Sequence, residues 1–447
     1  MRSLCASCLM VALALPACVV AADGDGPGTI WARTLSPEVG RPFVAAGSDV
    51  AGDEGDEILV LAGERGRPVT LLVLRGTDGQ ELWRRTLRRG AAATPVARRL
   101  HDVRDVAVAS GDTLALLDGE TGEVLLSARL PGVVGDIVAG DLDGDGVDEI
   151  VCTSGMALDD TLSCWDAGGL TPRWRAVCPP AEGRFDDGYR MPAILHLGVS
   201  SSEDADASRR PCLFVREHRT TLVALTSSGE ELWRAVLGHK SGIVPTGTAT
   251  TLPFPVDCDG SGRRDIAVGT LDGTVLLIDP DCGDVLMSRV FGGEEHRKLL
   301  RRRSLPKALR RLLSESGEPA TGFAALDVDG VPGEELLFAT SDGVAHAYSV
   351  RGDTLLWKRP VDGGVEFEPI VGRTADGRDC AVFFTGERVH YVDPATGADI
   401  RPRGPGNGCS LLLLGRFTGV GRFQMLSVRA GKRTLSLHDT ALRPVAP

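Results

Sequence analysis

The sequence predicts an all-β chain: an eight-bladed β-propeller of four-stranded antiparallel blades. An N-terminal strand closes the last blade, and one short helical insert interrupts the ring. Three observations carry this. An apolar strand, a Gly-containing turn and a second strand, often bearing Trp, return along the whole chain. The copies stand roughly 40–50 residues apart, the spacing of propeller blades. Glycine (56 residues) and proline (26) are abundant among 447 residues, which favours many turns and short strands over long helices.

The chain opens on "MRSLCASCLMVALALPACVVAADGDG", which reads as an export signal: Arg2, an apolar core over residues 4–17, then small residues at a cleavage site. Residues 1–22 are the expected leader and 23–447 a single propeller domain. Two cleavages fit. "LPAC" (Leu15-Pro16-Ala17-Cys18) is similar to a lipoprotein signal, with Cys18 acylated; "VAA" (Val20-Ala21-Ala22) fits ordinary cleavage before Asp23. The apolar core is shorter than the roughly 20 residues a span needs, so a membrane is expected only through a lipid anchor. The expected location is periplasmic, outer-membrane or extracellular, and the chain is expected to be a monomer. A net charge of −12 argues against nucleic acid, which needs a basic footprint.

Export permits disulfides. Eight cysteines follow Cys18, namely Cys152, Cys164, Cys178, Cys212, Cys258, Cys282, Cys380 and Cys409, an even number whose spacing cannot fix a pairing. No CxxC pair or CxxCH site occurs among them, so zinc is not expected and attached haem is excluded.

The hairpin copies run "LLVLRGTDGQELWRRTL" (71–87), "LALLDGETGEVLLSARL" (114–130), a looser "TLSCWDAGGLTPRWRAV" (161–177), "LVALTSSGEELWRAVL" (222–237), "VLLIDPDCGDVLMSRV" (275–290), "AHAYSVRGDTLLWKRP" (345–360) and "VHYVDPATGADIRPRG" (389–404). Trp83, Trp174, Trp233 and Trp357 occupy one equivalent place, where Leu126, Met287 and Arg401 stand in other copies. Two further apolar strands precede each hairpin. The eight units are about 43–90, 91–132, 133–180, 185–240, 241–292, 320–361, 362–404 and 405–447. The last supplies only three strands, and "TIWARTL" (29–35) matches the Trp strand without a unit of its own, so it is expected to close the ring.

The Trp strand after a Gly turn resembles the quinoprotein-dehydrogenase-like propeller family. The acidic loops of the same units resemble the FG-GAP repeat, and bacterial envelope propeller lipoproteins share the combination of signal and fold. Four loops align on a final acid: 49–57, 141–149, 257–265 and 327–335. Calcium wants six to eight oxygens, with Gly permitting the sharp turn. The expected ligands are Asp141, Asp143, Asp145, the carbonyl of Val147 and Glu149. In the second loop they are Asp257, Asp259, Ser261, the carbonyl of Arg263 and Asp265; a third keeps Asp327, Asp329 and Glu335. Position 3 of the first is Ala51, while "RLHDVRD" (99–105) and "RTADGRD" (373–379) read as structural turns. An EF-hand is excluded because Cys152 stands where its twelfth-position Glu would be. The alternative at each loop is an Asp/Gly turn held by side-chain-to-backbone hydrogen bonds.

The family resemblance implies a quinone cofactor on the ring axis with calcium, an Asp and adjacent cysteines. No two of the eight cysteines are adjacent, so pyrroloquinoline quinone is not expected and no catalytic residue is assigned. His346, His390 and His438 fall in successive third strands, where packing is favoured over a metal trio.

Between units five and six, residues 294–319 break the β grammar. Leu305, Ala308, Leu309, Leu312 and Leu313 follow helical spacing, and Arg302, Arg303, Arg310 and Arg311 give a basic surface. The insert is expected either to pack on one mouth of the ring or to dock on an envelope protein or anionic surface, with Leu305, Leu309, Leu312 and the arginines as contacts. The expected role is a binding or scaffolding module with structural calcium. The alternative is a propeller enzyme, quinone-dependent or carbohydrate-active.

Overall fold

In the computed structural model, residues 29–442 are described apart from several loops, the longest being 179–188, 196–211, 238–248 and 292–317. Eight antiparallel sheets follow one another: blades 1 to 7 span 41–87, 91–129, 134–177, 189–236, 254–290, 320–360 and 370–405. In blade 8 three strands over 409–442 take Thr29–Thr34 as their outermost strand, paired with Thr434–Leu442. The chain is an all-β propeller, closed as its hairpin grammar required. Among the described residues no helix is long and apolar enough to cross a membrane. The expected helical insert, with Leu305, Leu309, Leu312, Arg302, Arg303, Arg310 and Arg311, lies outside the described residues, as does Cys18.

Each blade follows chain order from its innermost to its outermost strand, except where the N-terminal strand joins blade 8. The middle strands are covered on both sides, so Glu57–Gly63 and Val69–Leu74 are almost wholly buried and read as continuous apolar runs. Outer strands are half-exposed, and Glu231–Val236 alternates between buried Trp233 and Ala235 and exposed Leu232, Arg234 and Val236. The core is not central. It consists of clusters in the seams between neighbouring blades, one at each of the eight seams, such as Phe214, Leu222 and Trp233 of blade 4 against Ile266, Val268 and Ile278 of blade 5.

Three expectations need revision. Among the described residues there is no disulfide. Cys152 and Cys164 illustrate why: they sit on neighbouring strands of blade 3 but face opposite seams, one toward blade 2 and the other toward blade 4. Burial pushes both thiols upward, Cys164 to about 12. In blade 7 the outer strand is only Gly404–Pro405, pairing with Arg388 and Val389, because the proline-rich stretch lacks ladder donors. The first strand of blade 5 is reduced to Phe254–Val256.

Candidate cation loops and the latches beside them

Loops joining first to second strands, and turns joining third to fourth, share one face of the ring. The turns form a set of latches. Trp31, Trp83, Trp174, Trp233 and Trp357 each donate Nε1–H, at 2.7–2.8 Å, to a turn carbonyl of the next blade: Gly76, Gly119, Ser227, Pro280 and Pro394. The indole lies flat on a glycine of that turn at positive φ. A Cβ on Gly79, Gly122, Gly229, Gly283 or Gly397 would stand 2.5–2.8 Å from ring atoms. Only glycine combines the left-handed backbone with that approach.

Where the preceding blade lacks the indole, the glycine is gone as well. Leu126 of blade 2 packs at a turn whose left-handed residue is Leu170 (φ 52), and Met287 of blade 5 packs on the seam cluster beside the turn whose left-handed residue is Asp353 (φ 47). Leu170 fills the vacated space within the seam cluster that includes Leu126. Asp353 pairs with Arg289 of blade 5 and accepts a hydrogen bond from Tyr348.

In the acidic loops the position-9 glutamate acts as a strap. Oε2 of Glu57, Glu149 and Glu335 accepts the backbone N–H of the loop's second residue, Val50, Leu142 and Val328, at 2.8–2.9 Å. All three glutamates are buried. In blade 3, Asp141 accepts N–H groups of Gly144, Asp145 and Gly146, Asp143 that of Asp145, and Asp145 that of Val147. One carboxylate oxygen from each of Asp141, Asp143 and Glu149 lies within 4.8 Å of the others, close enough to hold a metal ion together. A guanidinium already stands there: Arg173 of the outer strand donates to Asp143 Oδ2 and Glu149 Oε1, both at 2.6 Å. Burial pushes the Glu149 carboxyl up to about 7 against the pull of the Leu142 N–H and of Arg173.

Blade 5 repeats the turn. Asp257 accepts from Gly260, Ser261 and Gly262, and Asp259 accepts from Ser261. Arg263, expected to lend its carbonyl, instead brings its guanidinium to Asp265, Asp279 and Asp281 at 2.6–3.2 Å. Burial raises Asp265 to about 6. The blade 6 loop is the more open. Asp327, Asp329 and Glu335 converge within 4.8 Å. Among the described residues no guanidinium bonds them: Arg351, in the third-to-fourth turn of the same blade, donates to the Pro332 carbonyl. Asp327 and Asp329 accept the N–H groups of Gly330 and Val331. Judged by charge left uncompensated, the blade 6 triad suits a divalent cation better than the oxygen-richer loop of blade 3.

Arg173 is the residue that sequence spacing missed. It lies 24 and 30 positions from its partners and reaches them because the third-to-fourth hairpin folds back beside the loop. An Arg shortly after the Gly turn of an acid-loop unit was the available signal. The three histidines do not converge. His346 packs between Phe338, stacked at 5.0 Å, and the edge of Phe291. His390 pairs in register with Phe383 of its own blade, and His438 shares a hydrogen bond with Ser427.

No protein-family model matches the chain, and no curated protein does. Solved structures match its fold. Sqt1 of Saccharomyces cerevisiae superposes with a TM-score of 0.59 at 10% identity, covering 93% of this chain and 99% of its own. The quinohemoprotein alcohol dehydrogenase ADHIIG of Pseudomonas putida HK5 gives 0.54 at 12% identity, covering 94% and 78%. The shared fold is a β-propeller, here of eight blades. A second quinohemoprotein alcohol dehydrogenase, from Comamonas testosteroni, gives 0.53 at 14% identity over 94% and 77%. Identities this low speak to fold alone.

Proposed function

We propose that this chain is an exported or lipid-anchored scaffolding propeller of the bacterial cell envelope that binds protein partners and carries structural calcium in its blade loops. The observation that carries the reading is the rim. Outer strands of blades 2 to 5 present Leu125, Val177, Leu232, Val236, Val285, Leu286 and Val290 to solvent, with Val177 69% exposed. These strands also have one unpaired edge. Apolar side chains along open strand edges suit partner binding and are otherwise a liability. The basic insert at 294–319 supplies a second contact for an envelope protein or an anionic surface.

Calcium, when bound at Asp327, Asp329 and Glu335, would supply charge neutralisation and cross-link the start and end of the loop. The blade's own residues hold the turn without it.

The test of partner binding is capture from envelope extract by the full chain, by a chain lacking 294–319, and by a Val285→Lys/Leu286→Lys rim variant. Specific partners lost with either change support the scaffold. Retention of every partner by both overturns it. For calcium, melting with added calcium and with chelator is compared in wild type and Asp329→Asn. A calcium-dependent rise absent from the variant is expected, and equal melting in all conditions refutes the loop site.

A further inference from the structure

We propose that the cavity at the ring-closing seam, between blades 8 and 1, binds a small phosphomonoester. Its volume is about 270 Å3, and it is lined by Thr34, Arg41, Glu64, Lys432, Arg433 and Thr434. These residues belong to connections on the face opposite the acidic loops.

Charge is the first argument. Three cations and one carboxylate line the cavity in a chain whose net charge is −12. Many arginines elsewhere on the ring are paired with carboxylates: Arg33 and Arg84 with Glu81, Arg129 with Asp112, Arg234 with Glu217, Arg359 with Asp399. Among the described residues, Arg41, Lys432 and Arg433 have no carboxylate within ion-pair distance. Three cations gathered around one carboxylate still repel in net, and an oxyanion accepting charge-assisted hydrogen bonds relieves that repulsion.

The donors are held by the fold. Thr34 Oγ1 and Thr434 Oγ1 stand 2.9 Å apart across the closing strands. One hydroxyl hydrogen is spent between them, which leaves the other free to donate into the cavity. The Leu35 N–H donates to the Arg433 carbonyl at 2.9 Å and fixes that wall. Gly40 (φ +87) passes so close to Gly63 that a Cβ would lie 2.7 Å from its carbonyl carbon. That approach fixes the backbone that carries the next residues, Arg41 and Glu64.

Size and the single acid narrow the ligand. The volume is near the lower end of small-molecule sites, about 300 Å3, which admits a phosphate with a short organic body. Three cations against one carboxylate leave a local charge that matches a phosphomonoester dianion. Glu64 opposes an extended polyanion.

The experiment is calorimetric titration of the full chain with glycerol 3-phosphate and with inorganic phosphate, beside flotation with phosphatidylcholine vesicles doped with phosphatidic acid. Saturable binding is expected, weakened about tenfold or more by Arg41→Ala, Lys432→Ala or Arg433→Gln, the loss typical of one charged hydrogen bond. Arg264→Ala, on the opposite face, should bind as wild type. Saturable binding to the soluble ester identifies a free metabolite as the source. Binding confined to vesicles and lost in the same variants identifies a lipid headgroup. Binding unchanged in all three cavity variants, no saturation by any probe, or a melting shift reproduced by chloride at equal ionic strength overturns the proposal.

Discussion

Seams latched by an indole and seams without that latch are built on different principles. At the blade 4–5 seam Trp233 is buried, hydrogen-bonded to Pro280 and seated on Gly283. Its contact is a single shape fitted to a single glycine. At the blade 5–6 seam Met287 replaces the indole, and the work is spread over many weaker contacts. Arg289 pairs with Asp353, and Phe291 sets its edge against Phe338, His346 and Tyr348. The acidic loops also join there: Glu334 N–H donates to the Asp257 carbonyl, and its carboxylate accepts the Asp257 N–H. A latch made of one large side chain fails all at once. A seam made of ion pairs, a buried imidazole and loop contacts responds to pH and salt.

The difference can be broken first at its strongest point. Trp233→Ala removes a buried aromatic and its hydrogen bond and is expected to cost about 3–5 kcal/mol in chemical denaturation. Leu126→Ala, at a seam without a latching indole and only half-buried, should cost about 1–2 kcal/mol, below the range for a fully buried leucine. Equal losses would remove the distinction. The second test is acid. Burial among aromatic rings, with Lys358 adding repulsion, lowers the His346 imidazole from 6.5 to about 4. It stays neutral in the native protein, while the unfolded chain takes up a proton below its ordinary value. Its contribution is therefore complete above pH 6.5 and is lost as pH falls to about 4. The shift corresponds to ~3 kcal/mol at about 1.4 kcal/mol per unit. His346→Phe should flatten that acid limb in pH-dependent unfolding, whereas Trp233→Ala should shift the curve without changing its slope.

Third, Gly283→Ala should cost about 1–3 kcal/mol by overpacking. It should be partly rescued in a Trp233→Leu background, since the clash needs the indole while the strain of the left-handed backbone remains. An additive double-mutant cycle would deny that the two residues form one unit. The smallest effect belongs to Arg173→Met. Its side chain is about one-third exposed, so solvent screening trims the loss to about 1–2 kcal/mol. The variant should gain a calcium-dependent rise in melting temperature that wild-type blade 3 lacks.

Much of this architecture was legible from one chain, and the illegible part has a common cause. The Trp place and the Gly turn were both visible as repeats, because each recurs within its own hairpin. That the Trp of one blade selects the Gly of the next was not, since 36–53 residues separate the partners that bond. Arg173 escaped for the same reason. The oxygen count of the loops was correct as composition but silent on occupancy: Asp143 and Glu149 already share a guanidinium, while Asp327 and Asp329 do not. Cysteine parity misled because it ignores facing, and Cys152 and Cys164 are turned to opposite seams.

The strand that closes blade 8 has a kinetic consequence. Thr34 meets Thr434 across 400 positions of chain and Thr29 pairs with His438 across still more, so the strand pair that turns an open arc into a ring is the most non-local one described. Such a contact forms late, after loop-closure entropy for nearly the whole chain has been met. A chain emerging N-terminus first delivers Thr29–Thr34 at the outset and its partner at the end. Until then blade 1 has no neighbour on one side, and Ile58, Val60, Leu72 and Phe417 lack their shared seam. A nascent arc of this kind has two sticky ends, and any factor that holds one of them governs whether ring closure or aggregation comes first.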